Sequence, residues 1–110
     1  MNYDPFEEIL ASVKSSATLS TPQKKDLDEL LNALAGEMLL VAVEDPEAYR
    51  SALNFLICAL FESTRRERVS VIAMAARKGM LLSFRPFDEK YPKLTAVAYN
   101  LGDRLSSLGV

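Results

Sequence analysis

The sequence contains no histidine. That absence removes histidine triads, imidazole general bases and histidine metal sites together. Cysteine occurs once, at Cys58. No internal disulfide and no cysteine-built zinc site can be assembled, and a reducing, cytoplasmic setting is expected. Glycine-rich phosphate loops are missing as well: the chain holds neither a Walker loop nor a G-x-G-x-x-G. The longest apolar runs, MLLVAV over 38–43 and FLICALF over 55–61, fall far short of the ~20 residues that span a bilayer, so no membrane association is expected. The opening stretch MNYDPFEEIL is acidic. It has no basic region ahead of an apolar core, so it does not read as a signal peptide. A net charge of −2 singles out neither nucleic acid nor a lipid surface as a partner.

What is present is apolar side chain, 49% of 110 residues. That is enough to offset the entropy of folding one domain over 1–110. Proline punctuates it in a regular way. Asp4-Pro5, Thr21-Pro22 and Asp45-Pro46 each read as an N-cap followed by proline at the first helical position, with Tyr91-Pro92 as a weaker fourth. Between these starts the apolar spacing is helical. Helices are expected over Pro5–Ser15, Pro22–Val43, from Pro46, through Val69, Ile72 and Ala76 to a stop at Gly79, and over Pro92–Leu108. Met80–Phe87 is left as an extended connection restrained by Pro86. The expected fold is all-α, a small bundle of four to five helices. The Glu62–Arg66 spacing allows one rod over 46–78, and a fresh start at Ser63 or Thr64 is the alternative. Gly102 and Gly36 read as close-packing positions, and Cys58 as a buried small hydrophobe.

Two segments, 38–43 and 52–61 apart from Asn54, are apolar all round the helix. Such helices must be covered on every side. The expectation is a homodimer with Leu39, Val43, Leu56 and Phe61 at its interface.

Charge is unevenly divided. Residues 1–62 carry −7 and residues 63–110 carry +5. Three arginines, Arg65, Arg66 and Arg68, fall within four positions, with Arg77 and Arg85 further on. These five are the candidate partner-binding residues. Ala75 and Gly79 resemble the alanine and turn glycine of a helix-turn-helix. Pro86, however, falls inside the helix that would read DNA. With no catalytic residue, cofactor or metal site to name, the expected function is a small non-enzymatic regulator or adaptor that binds another protein. By analogy of size and class, antiactivators, secretion chaperones and immunity proteins of bacteria work this way. A small DNA-binding regulator using the basic C-terminal half is the alternative.

Overall fold

Capping chemistry sets where the helices begin. In the computed structural model, which describes residues 4–108, α1 (Pro5–Ser15) starts where the Asp4 carboxylate accepts the Phe6 N–H at 3.0 Å. In α2 (Thr21–Glu44) the cap is Ser20 rather than Thr21. Ser20 Oγ accepts the Gln23 N–H at 3.2 Å, and Gln23 Oε1 accepts the Ser20 N–H at 2.9 Å. The reason is reciprocity: a Thr21 cap would put Lys24 three residues on, and lysine has no acceptor with which to close the box. Asp45 closes α2 by donating its N–H to the Val41 carbonyl at 2.8 Å. It also opens α3 (Pro46–Thr64) by accepting the Ala48 N–H at 3.1 Å. α4 spans Ser70–Phe84, a short 3₁₀ turn covers Arg85–Phe87, and α5 spans Pro92–Ser107. There are five α-helices and no strand among the described residues.

Two boundaries differ from the sequence expectation. There is no rod over 46–78. α3 stops at Thr64, and Arg65 turns to extended backbone, its side chain bonding back to Glu62 at 3.0 Å. The Glu62 carboxylate thus pairs three residues on, not four. α4 does not stop at Gly79. It continues to Phe84, because Met80 and Phe84 are fully buried and the helix must be extended to bring them to the core. Residues 80–87 are therefore helical and not extended, with Pro86 accommodated in the 3₁₀ turn, where its missing N–H costs little. Gly79 serves packing: a Cβ there would lie 3.0 Å from the Phe55 ring. Phe55 precedes the end of α3 by nine residues and Gly79 follows the start of α4 by nine, so the two helices run antiparallel. Among the described residues they make the most extensive contact of any helix pair.

α2 lies against α1, α3 and α5, and α5 closes against α4. The core is filled by Leu27, Leu31, Leu34, Met38, Leu56, Met80, Phe84, Leu94, Leu101 and Leu105, all essentially without solvent contact. Phe84, Phe87 and Tyr91 form an edge-to-face series with ring centroids 6.1 and 5.8 Å apart. Gly102 is buried, and a Cβ there would meet Leu81 Cδ2 at 2.8 Å, so this glycine does serve the α4–α5 approach. Gly36 does not: it is exposed and has nothing within 4 Å of a Cβ position. Gly36→Ala is therefore expected to stabilise the chain by about 1 kcal/mol, the helix-propensity difference without an opposing clash. A urea midpoint moved upward at unchanged slope is the check.

Candidate functional site

A filled core makes the apolar surface left outside it significant. On α3 and α4 the side chains of Phe55, Ile57, Phe61, Val71, Ile72, Met74 and Leu82 are all exposed, with Val71 at 76% and Phe61 at 60%. The helical wheel explains why sequence periodicity did not separate this face from the core. In α4 the core side is Ala73, Met80 and Phe84, with Ala76 and Leu81 partly buried beside them. Of the three apolar positions expected to mark this helix, Ala76 packs against the core, whereas Val69 and Ile72 are exposed. The inward stripe became legible only once the helix was known to run past Gly79. Small residues on the packed sides (Ala52, Ala59, Ser63 and Ala73, all buried) bring α3 and α4 close together. The larger apolar residues remain outside. Cys58, expected in the core, is exposed on this outer side of α3.

The four expected interface residues are not brought together. Leu56 is fully buried within the chain, so it presents no surface to a second copy. Leu39 and Val43 are exposed, at 70% and 80%, but sit on the last turns of α2. Phe61 lies near the opposite end of α3, about 22 Å along the helix axis from the Asp45 junction that Val43 adjoins. There it lines a groove of about 220 Å³ between α1 and α3, with Ile9, Val13, Ile57 and Leu60. No spacing rule within one helix would have revealed that groove, because its two walls come from residues roughly fifty apart in sequence.

The five candidate arginines divide into two sets. Arg65, Arg66 and Arg68 lie in the α3–α4 connection and line one recess of about 200 Å³, together with Thr18, Gln23 and Ser63. The Arg65 guanidinium sits 5.6 Å from the Phe61 ring centroid while pairing with Glu62. Arg68 Nη1 donates to the Leu108 carbonyl, and its Nε, shielded from solvent, has no acceptor among the described residues. Arg85 borders a different recess, with Lys78, Leu81, Leu82, Tyr99 and Asp103, and Arg77 lies on α4 and lines neither.

A separate polar cluster ties α2 to the start of α5. The Tyr91 hydroxyl donates to Glu44 Oε1 at 2.8 Å and Lys90 Nζ to Glu44 Oε2 at 3.0 Å. The Tyr91 bond, then the Lys90 bond, holds the Glu44 carboxyl below its ordinary pKa, and the same carboxylate raises Lys90. Tyr91 is raised first by its loss of solvent and then by its bond to Glu44. Tyr99 is raised by its 2.6 Å bond to Asp88. The first set ties the end of α2 to the start of α5, and the Tyr99–Asp88 bond ties α5 to the turn that precedes it.

Among the described residues no group of three or more Asp, Glu or Cys side chains is placed to hold a metal ion. No described helix is long and apolar enough to cross a membrane. The helix through Gly79 leaves no turn where a helix-turn-helix needs one. Comparison with protein-family models, with curated proteins and with solved structures gives no match to this chain.

Proposed function

We propose that this chain is a small non-enzymatic helical regulator or adaptor, that it acts by binding another protein, and that it pairs with a second copy of itself. The observation behind this reading is the set of large apolar side chains that α3 and α4 keep exposed outside an already filled core, among them Phe55, Phe61, Val71, Ile72 and Leu82. So many large apolar side chains left exposed on two packed helices are uncommon on a protein that works alone and mark interaction surface. An interface of ordinary size covers roughly 800 Å² per partner, which two side-by-side helices of four turns can supply.

The test uses residues that the fold does not need. Val71→Glu with Leu82→Glu places two charges on the exposed face and leaves the buried stripe intact. Light scattering at high micromolar concentration is expected to give about twice 12.2 kDa for the wild type and the monomer mass for the double variant. The variant's circular dichroism should be unchanged. A wild-type monomer, or a double variant that still pairs, removes the self-association reading. For the protein partner, the comparison is between binding proteins retained from native lysate by the wild type and lost by the folded double variant. Equal retention by both sinks the assignment of this face.

The alternative of a small DNA-binding regulator draws on the clustering of Arg65, Arg66 and Arg68 in one connection. Titration with random duplex separates it from the first reading, because counterion release makes such binding fall steeply with salt.

A further inference from the structure

The recess at the α3–α4 connection is lined by a one-sided set of groups. Arg65, Arg66 and Arg68 supply guanidinium donors and Ser63 a hydroxyl, while the Thr18 hydroxyl donates to the Thr64 carbonyl at 2.6 Å and Leu19 and Leu108 complete the lining. Gln23 has its carbonyl oxygen engaged by the Ser20 N–H, which leaves its amide NH₂ as the free end. None of the lining residues is a carboxylate. Glu62 is held by Arg65 at the edge, and neither Arg66 nor Arg68 makes an ion pair with a carboxylate among the described residues. Arg68 adds an unmet donor. Its Nε has no acceptor among the described residues, although its Nη1 is satisfied by the Leu108 carbonyl. A buried N–H left in this state is costly. Three like charges converging on one small recess also repel each other until an anion sits between them.

We infer that this recess binds a tetrahedral oxyanion of the phosphate type, held by Arg66 and Arg68 with Arg65 at its rim. Arginine suits this role because its planar fork matches two oxygens of one anion. The inference deepens the binding-module reading by naming the chemistry of the group a partner would present: a phosphorylated side chain beside the apolar face. The Arg65 guanidinium over the Phe61 ring joins the recess to that face.

The test needs no partner, so it stands apart from the test of the apolar face. Inorganic phosphate is titrated into the full chain at constant ionic strength, and the arginine Nε–Hε resonances are followed by NMR. Saturable shifts are expected at Arg65, Arg66 and Arg68 and not at Arg77 or Arg85. Arg66→Gln, at an exposed position where folding is not at stake, should weaken phosphate binding about tenfold. Arg68→Gln should weaken it at least as much, with circular dichroism confirming the fold. Arg85→Gln should leave it unchanged. A phosphoserine peptide that binds more tightly than phosphate, where acetate does not bind, supports phosphoryl recognition. Acetate binding as well as phosphate overturns that specificity. Unsaturable shifts of all five arginines, or the same response to potassium chloride, overturn the site altogether and leave only ionic screening.

Discussion

Leu56→Glu is expected to unfold the chain, while Phe61→Glu is expected to leave it folded. Both residues lie in the same apolar helix, only five positions apart, and their sequence surroundings do not distinguish them. Leu56 has no solvent contact and lies among the core residues of α2, α4 and α5. A carboxylate there is either ionised without a partner or protonated in a space shaped for leucine. The loss is on the order of 4–5 kcal/mol or more, when a domain of this size commonly has only about 5–15 kcal/mol in total. Phe61 is largely exposed. Glutamate there gives up a partial contact with the α1–α3 groove and the ring beneath Arg65, but it gains a carboxylate near that cation. The change in stability should stay within about 1 kcal/mol. Urea denaturation followed by circular dichroism separates the two outcomes. A folded Leu56→Glu variant with a wild-type midpoint would place Leu56 at a surface after all.

Phe84→Ala should cost about 3–5 kcal/mol, the usual range for removing a fully buried phenylalanine. Phe84 is the last residue of α4 and the largest side chain wholly inside the core. It meets Phe87 edge to face at an interplanar angle of 72°, and Phe87 meets Tyr91 in the same way. Truncation therefore removes the burial, opens a cavity and loosens the 3₁₀ turn that directs the chain into α5. Leu82→Ala, two residues earlier on the exposed side, should change stability by less than about 1 kcal/mol. If the two variants had equal midpoints, the helix would not extend inward past Gly79 as described. The contrast therefore tests the boundary that sequence reading placed differently.

What the sequence determined by itself was mostly local. The cap-and-proline signals at Asp4 and Asp45 placed two of the helix starts, because an N-cap involves only groups within three residues of one another, and Pro92 after the uncapped Tyr91 marked a third. Ser20 displaced Thr21 for an equally local reason, its reciprocal bond with Gln23. The 3.6-residue spacing gave the all-helical class and the buried stripes of α1, α2 and α5. Lack of histidine, with a single cysteine, removed whole classes of site chemistry before any coordinates were needed. Clustering of Arg65, Arg66 and Arg68 was also legible, but not the recess they share with Thr18 and Gln23 from the α1–α2 connection.

Tertiary structure decided the rest wherever a segment was apolar on every side. In α3 and α4 periodicity carries no direction, since both the inner and the outer arcs are apolar. The packing of α3 and α4 against each other and against α2 and α5 decided which arc is inside. That choice buried Leu56 and exposed Cys58. It also carried α4 beyond a glycine that local rules read as a stop, because the burial of Met80 and Phe84 outweighs the weak preference of one residue for a helix end. The candidate binding face was set by the same choice. It exists because two helices joined by five residues pack through their small side chains and leave the larger apolar ones outside.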